Sequence, residues 1–188
     1  WTWEDMVNTA IELTDEDKGI YGVGEGPDNN QAGYYNIIFD YGGYILNEDK
    51  TESGWDKPET IEAMTLYFKM IDEAAPSLEV IAENPADVLF TSGKTAMYLA
   101  GSWMLASMRD NEYTAENADI QVLPHYEGRR ISIYNGLGWA ADAKTEHPEE
   151  AWKLLEFLGS EEAQVMQADL GVTMSAYEGA NDNWVKSY

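Results

Sequence analysis

The stretch Phe90-Thr-Ser-Gly-Lys-Thr-Ala-Met-Tyr-Leu-Ala-Gly-Ser-Trp103 decides the fold, because a helix end, a short strand and a turn follow one another within it. Gly93 can adopt the left-handed conformation that closes a helix. The apolar run Ala96–Leu99 has the length of a buried strand. Gly101 lets another group approach the backbone closely, and Trp103 projects a rigid indole from the end of the strand. In open α/β sheets, ligands bind at that end of the strands.

The indole of Trp103 has two interpretations at this point. Its wide apolar face and its polar N–H suit the apolar face of a sugar ring. Alternatively, it is a core tryptophan at a corner between a strand and a helix. Aromatic residues make up 12% of the chain, which favours carbohydrate contact over the capture of an amino acid or an ion.

Helices and strands alternate along the chain of 188 residues. Thr2 is typical of a helix cap and is followed by apolar residues at helical spacing, and an aromatic helix is predicted over Tyr34–Tyr41. Pro58 opens a strongly amphipathic helix, Asn84 is predicted to cap another, and Pro148 to open a third. The predicted strands are Ile20–Val23, Ala96–Leu99, Ile120–Pro124 and Ile131–Trp139. This alternation predicts an α/β fold.

The chain is strongly acidic, with 35 acidic and 11 basic residues and a formal net charge of −24. Such a charge repels phosphate backbones and anionic membrane surfaces, so nucleic acid is excluded as a partner. Two interpretations of the charge remain open, a cationic ligand and a solvated acidic surface. The acids are spread along the chain rather than gathered in one tail, which favours the solvated surface.

Motifs for catalysis or metal binding are weak, and the chain has no cysteine. Many carboxylates allow the hypothesis of a glycoside hydrolase, but no acidic pair stands at a strand end between aromatics. The alternation in Asn47–Ser53 resembles a calcium loop, yet Pro58 occupies the place of its last glutamate. His125 and His147 lack metal-ligand spacing, and Ser92–Thr95 lacks the glycine spacing of a phosphate loop. The sequence therefore predicts no enzyme, no metal site and no cofactor.

Six stretches carry a resemblance through their order and spacing along the chain. They are Thr2-Trp3-Glu4, Asp40–Tyr44, Phe90–Trp103, Val122–Pro124, Asn135–Ala140 and the helix pair His147–Gln164. Together they resemble the extracellular solute-binding proteins of ABC importers, in particular the sugar-binding group that includes maltose-binding protein. Each motif is weak by itself, and the resemblance covers nearly the whole chain.

The resemblance implies a lobe of the type II periplasmic-binding-protein fold, with a mixed sheet flanked by helices. Residues 1–134 are expected to form the second, C-terminal lobe. Residues 135–188 are expected to supply the strand between lobes and the helices that return to a first lobe. Family members carry that first lobe, a signal peptide and a lipid-anchor cysteine upstream, so a fragment with half a binding site is expected. Apolar helices over 148–170 would then allow the fragment to self-associate.

The resemblance also implies a function. The expected role is the substrate-binding component of an ABC importer, which captures a carbohydrate, expected to be an oligosaccharide, in a cleft between lobes and delivers it to the membrane permease. The expected location is extracytoplasmic, as a cell-surface lipoprotein or a periplasmic protein. The alternatives are a binding protein for a polyamine or another cationic solute and, third, an acidic glycoside hydrolase.

Ligand-binding residues are predicted where the family's motifs match this sequence. Trp103 matches the recurrent stacking tryptophan, and Gly101 lies two residues before it. Tyr34 and Tyr35 match the position of an aromatic residue in the cleft, with ordinary core packing as the alternative.

Two further segments offer polar groups to a ligand. Asn135 and Gly136 match the strand between lobes, with a turn-forming pair as the alternative interpretation. The loop Glu25–Asn30 offers polar groups near the same edge, although a mobile surface loop is the interpretation that its composition favours.

Overall fold

Short helices and a two-stranded parallel sheet make up the described part of the chain, residues 1–27, 30–171 and 173–186 of the computed structural model. The strands are β1 (Tyr21–Val23) and β2 (Thr95–Met97). The α-helices are α1 (Trp3–Leu13), α2 (Tyr35–Asp40), α3 (Pro58–Ala74), α4 (Leu78–Glu83), α5 (Ala86–Thr91), α6 (Leu105–Asp110), α7 (Glu112–Asn117), α8 (Pro148–Leu158), α9 (Glu161–Asp169) and α10 (Asn181–Lys186). Short helical turns lie at Glu16–Lys18 and Ser102–Met104, and a π-helical turn lies at Asn30–Tyr34.

The chain divides into two compact units. The first unit consists of Trp1–Ala100 and Asn111–Ile133, and the second consists of Gly101–Asp110 and the chain from Tyr134 onward. The expected assignment of residues 1–134 and 135–188 to the lobes of a larger protein stays a prediction.

The core of the first unit is built on α1, which packs against α3 and β1. Thr2 caps this helix as predicted, because its side chain accepts a hydrogen bond from the Asp5 amide while the Asp5 carboxylate accepts one from the Thr2 amide. The buried residues of α1 recur at helical spacing and are Trp3, Met6, Val7 and Ala10. Burial of each large apolar side chain contributes roughly 1.5–3 kcal/mol, so this one helix supplies much of the core.

Two of the strands that the sequence places in the first unit, near residues 20–23 and 96–99, are confirmed. β1 and β2 pair in parallel, with Tyr21 opposite Thr95 and Val23 opposite Met97. Gly93 has a φ of 72° and lies just after α5, where the amide of Lys94 donates back to the Leu89 carbonyl at 2.8 Å. This left-handed residue turns the chain from α5 into β2, as its type predicts.

The predictions of two later strands are wrong, because neither Ile120–Pro124 nor Ile131–Trp139 forms a strand among the described residues. Both are apolar and extended in pattern, but a strand also needs a partner for its backbone. Residue 122 is instead fixed by a side chain, since Trp1 Nε1 donates to its carbonyl at 2.9 Å. Asn84 ends α4 rather than capping α5, because the residue before Pro85 is pushed out of the helical region.

The second unit is held by a small polar and apolar centre between α9 and α10. Pro148 opens α8 as predicted, and Ser160 caps α9. Gln164 is buried, accepts hydrogen bonds from the Ser175 hydroxyl and the Ala176 amide, and donates to the Leu158 carbonyl at 2.8 Å. Large apolar side chains of α8 are exposed, namely Trp152, Leu154 and Phe157.

No helix within the described residues combines the length and the apolar character needed to cross a bilayer.

Asp40, the last residue of α2, is a buried carboxylate in the first unit. Burial raises the pKa of its carboxyl above the ordinary value, although hydrogen bonds from Trp3 and Ile131 oppose the shift. A group with a raised pKa binds protons more readily in the folded state. Stability contributed by Asp40 is therefore present at acidic pH and falls as the pH rises from the ordinary pKa through the raised one.

The direction of this pH dependence can be tested with Asp40→Asn, which removes the titrating carboxyl group. The difference in unfolding free energy, wild type minus variant, is expected to decrease as the pH rises from about 4 to about 7. Urea unfolding at several pH values measures it, and the other acidic residues cancel because both proteins carry them. A difference that grows with pH would contradict the raised pKa.

Candidate ligand-binding site

The carboxyl ends of β1 and β2 meet at one edge of the sheet in the first unit, because the strands are parallel. Glu25 follows β1 and Tyr98 follows β2. Burial raises the pKa of the Tyr98 hydroxyl to about 12, with smaller contributions from the negative charges of Asp87 and Glu25. The edge thus places a carboxylate and a phenol hydroxyl close together in a partly desolvated environment.

Glu25 is fully buried, so the interpretation of its loop as a mobile surface loop is wrong at this residue. The Tyr67 hydroxyl lies 3.0 Å from Glu25 Oε2 and 2.9 Å from the Gly26 carbonyl oxygen, and it donates its single hydrogen between these two acceptors. A Cβ at Gly24, the residue before Glu25, would lie 3.0 Å from Thr95 Oγ1 and 3.3 Å from the Ala86 carbonyl oxygen, so this glycine lets β2 and α5 lie close to the backbone. Asp28 and Asn29, which belong to the same predicted loop, lie outside the described residues.

An aromatic cluster, defined here as Tyr34, Tyr35, Trp55 and Tyr67, lies in the same unit. Tyr34 is central, with ring centroids 5.2 Å from Tyr35, 5.6 Å from Tyr67 and 5.9 Å from Trp55, all in edge-to-face geometry. The structure therefore brings the two predicted tyrosines together. Trp55 is 43% exposed, so the cluster runs from the core to the surface.

Trp55 and Tyr67 are not predicted by the sequence as members of this region, and Glu25 is predicted only as part of a loop that offers polar groups. Tyr67 occupies an inward position of the amphipathic helix α3, and helical periodicity could have placed it in the core. Its partner is 42 positions away along the chain, and periodicity carries no signal for such a pair.

Trp103 lies in the second unit, in the helical turn Ser102–Met104, and 52% of its surface is exposed. This exposure contradicts the interpretation of Trp103 as a core residue. A Cβ atom on Gly101 would lie 1.9 Å from Cζ3 of the indole, so the ring packs directly against the backbone of residue 101. The close approach predicted for Gly101 is thus made by Trp103 itself.

Substitution of Gly101 by alanine is expected to displace the Trp103 indole, because the new methyl group would occupy the space of the six-membered ring. The free energy of unfolding should change by less than about 1 kcal/mol, since an exposed side chain can move away. Nuclear magnetic resonance of indole Nε1–H groups measures the displacement as a shift of the Trp103 signal. Gly138→Ala is the matched control, because nothing lies within 4 Å of a Cβ at that position. An unmoved Trp103 signal would contradict the packing.

Asn135 and Gly136 also belong to the second unit and lie in an exposed, irregular stretch of chain. They form neither the predicted strand nor the alternative turn, and nothing lies within 4 Å of a Cβ at Gly136. Residues 134–140 have no partner strand among the described residues, which explains why the strand is absent. The ligand-binding role of this pair stays a prediction.

Among the described residues, no group of three or more histidine, aspartate or glutamate side chains is placed to hold a metal ion. The first unit offers the aromatic cluster and the fixed polar groups of Glu25 and Tyr67, and the second unit offers the exposed Trp103 indole. Each of these is a kind of group that binds neutral, hydroxyl-rich molecules by stacking or by directed hydrogen bonds.

Comparison with known proteins decides the family. Residues 1–165 match the family model described as bacterial extracellular solute-binding protein. The chain belongs to this family. The bacterial extracellular solute-binding proteins are binding proteins rather than enzymes.

Two curated members of the family are similar over most of this chain. The maltodextrin-binding protein MdxE of Bacillus subtilis (strain 168) is 27% identical over 133 residues, which are 68% of this chain and 32% of MdxE. The maltotriose-binding protein of Pyrococcus abyssi (strain GE5 / Orsay) is 25% identical over 158 residues, 78% of this chain and 33% of that protein. The chain thus spans about a third of the length of these relatives.

Solved structures of family members confirm the predicted fold class, an α/β lobe of the type II periplasmic-binding-protein kind. An ABC substrate-binding protein from Listeria monocytogenes in complex with cycloalternan has a TM-score of 0.78 and 22% identity, and the match covers 100% of this chain and 48% of that one. A cyclo/maltodextrin-binding protein complexed with maltotetraose has a TM-score of 0.69 and 26% identity, and the match covers 100% of this chain and 49% of that one. The chain spans about half of each.

Proposed function

We propose that this protein is the substrate-binding component of an ABC importer and that its ligand is a carbohydrate, specifically an oligosaccharide. Membership of the solute-binding family and the maltodextrin and maltotriose named for two relatives support this proposal. The observation that carries it is the Trp103 indole, which packs against Gly101 and keeps half of its surface exposed. A flat indole held in this way is a platform for the apolar face of a sugar ring.

The proposed mechanism uses two lobes. Residues 1–134 supply the second lobe, and residues 135–188 supply the connection and helices that return to a first lobe. The ligand binds in the cleft between the lobes, which close over it by a hinge motion. The closed form then docks on the membrane subunits of the permease, outside the cytoplasm, with the protein either anchored as a lipoprotein or kept in a periplasm.

In this mechanism Trp103, Tyr34 and Tyr35 stack on sugar rings, while Asn135 and the backbone at Gly136 bind hydroxyl groups. Discrimination between sugars comes from unpaired polar groups, because a ligand that lacks a matching hydroxyl leaves its partner buried and unsatisfied.

A cationic solute such as a polyamine is the second candidate, because the net charge is −24. Binding that depends on charge weakens strongly with ionic strength, whereas stacking on a neutral sugar does not. Titration at low and high salt therefore separates the two candidates.

The decisive experiment is a thermal-shift screen of the protein with both proposed lobes, using maltotetraose, glucose, spermidine and an amino acid mixture. A bound ligand at a hundred times its Kd adds about 2.7 kcal/mol to stability, which raises Tm by several degrees. A shift with maltotetraose supports the proposal, and a shift with spermidine alone overturns it. Release of reducing sugar from maltotetraose during the incubation would instead reveal a glycoside hydrolase.

We also propose that this chain by itself self-associates through α8. Leu154 and Phe157, three residues apart and therefore on one face of the helix, are 57% and 45% exposed, and an apolar face of this kind favours association with a second copy. Light scattering of the purified chain tests the proposal. A monomer across the concentration range would contradict it.

A further inference from the structure

Two polar side chains on α2, Asn36 and Asp40, are almost completely buried, with 3% and 1% of their surfaces exposed. They are four residues apart and therefore lie on the same face of the helix. Buried polar groups in folded proteins have hydrogen-bond partners, and a buried charge needs them most. The partners of this pair therefore show what the helix face is built to hold.

Both side chains accept hydrogen bonds from one stretch of backbone, residues 131–133. The amide of Ile131 donates to Asp40 Oδ1 at 2.6 Å, and the amide of Ile133 donates to Asn36 Oδ1 at 3.0 Å. Alternate amides of an extended chain are about 6.5 Å apart, and a helix rises about 6 Å over four residues. Because the two spacings agree, the face of α2 takes the place that a neighbouring strand would have.

Other groups fix the remaining polar atoms of both side chains. Asp40 Oδ2 accepts a hydrogen bond from Trp3 Nε1 at 2.8 Å, and Asn36 Nδ2 donates to a carbonyl of the preceding turn at 2.7 Å. The positive charges of Arg129 and Arg130 also act on the Asp40 carboxylate. The two acceptor oxygens are therefore oriented by contacts that do not involve residues 131–133.

Residues 131–133, which α2 holds by these hydrogen bonds, end where the chain leaves the first unit. Ile133 is the last residue of that unit, and Tyr134 begins the long segment that belongs to the second. The predicted ligand residues Asn135 and Gly136 follow directly. The backbone held at residues 131 and 133 is thus the last part of the first unit before Asn135 and Gly136.

We propose that Asn36 and Asp40 are positioning residues that anchor the backbone at Ile131 and Ile133. They fix the point from which residues 134–136 depart. A role of this anchor in ligand binding rests on the proposed function, whereas the anchor itself does not.

Hydrogen exchange of the whole chain, measured amide by amide, tests the anchor. In Asp40→Asn a single oxygen replaces two, so it accepts from Trp3 or from Ile131 but not from both. Exchange at residue 131 is expected to rise about tenfold, the equivalent of one hydrogen bond of about 1.4 kcal/mol. Asn36→Leu should raise exchange at residue 133 by a similar factor.

Trp3→Phe is the matched control, because it removes a hydrogen bond to Asp40 without touching residues 131–133. It should destabilise the protein while leaving exchange at 131 and 133 within about twofold after correction for global unfolding. The double variant Trp3→Phe with Asp40→Asn should restore protection at 131, because the single amide oxygen then serves only the Ile131 amide. If Asp40→Asn only destabilised the protein in general, adding the destabilising Trp3→Phe would not restore protection at residue 131.

Titration with maltotetraose of the protein with both proposed lobes tests the role in binding. Affinity should fall about tenfold in Asn36→Leu and stay within about twofold in Trp3→Phe. Equal exchange rates in wild type and both anchor variants overturn the anchor, and raised exchange with unchanged affinity overturns the positioning role. Wild-type protein that binds no maltotetraose overturns the proposed function. The anchor is still tested in that case, because exchange at residues 131 and 133 is measured without ligand.

Discussion

Replacement of Trp103 by alanine is expected to lower the affinity for maltotetraose at least about 100-fold, a loss of roughly 2.7 kcal/mol. The indole contributes a large rigid surface to the ligand at little cost in conformational entropy, because the backbone at Gly101 already holds it. Stability should change by less than about 1 kcal/mol, since half of the side chain is exposed. Isothermal titration of the protein with both proposed lobes gives the affinity, and chemical unfolding gives the stability.

Trp152→Ala is the matched control for this prediction. Trp152 is also a tryptophan of the second unit and is 62% exposed, but it lies on α8 and has no predicted ligand contact. Its removal should leave maltotetraose affinity within about twofold. Equal losses in the two variants would mean that tryptophan content rather than the Trp103 platform matters, and retained affinity in Trp103→Ala would overturn the site assignment.

Local features of the fold were predictable because their signals lie within a few residues. The Thr2 cap, the proline starts of α3 and α8 and the left-handed Gly93 all follow from the conformational preferences of single residues. The apolar spacing of α1 likewise shows which side faces the core.

The strands at 120–124 and 131–139 show where such local signals fail. A strand requires a partner, and apolar β-branched residues do not reveal whether a partner exists. The amides of Ile131 and Ile133 are paired with side chains of α2, more than 90 positions away. A buried aspartate and asparagine one turn apart carry no signal for that pairing in a single sequence.

The candidate site shows the same division. The sequence singles out Gly101 and Trp103, because a glycine two residues before a tryptophan at the end of a predicted strand is a local signal. The pair of Glu25 and Tyr67 was missed, because its members come from a loop and a helix far apart in sequence. Composition alone favours a surface loop at Glu25. In the structure Glu25 is completely buried and accepts a hydrogen bond from the Tyr67 hydroxyl of α3.

Replacement of Gly22 by alanine is expected to destabilise the protein by at least about 3 kcal/mol, the upper part of the range for overpacked cores. A Cβ at this position would lie 1.8 Å from the carbonyl oxygen of Ala10 and 2.6 Å from its Cα. These are backbone atoms of α1, so no side-chain rotation can relieve the clash. The helix must move away from β1, and the core cluster that contains Ala10 and Val23 would lose packing. Tm should fall by about 6–12 °C, as measured by calorimetry.

Gly138→Ala serves as the matched control, because the same substitution there meets nothing within 4 Å. It should change Tm by no more than about 2 °C in either direction, since it alters an exposed position. Equal Tm values for wild type and Gly22→Ala would mean that α1 and β1 can separate at little cost. The core would then depend on the packing of α1 against α3, and Ala63→Leu on α3, a fully buried position, should become the more damaging substitution.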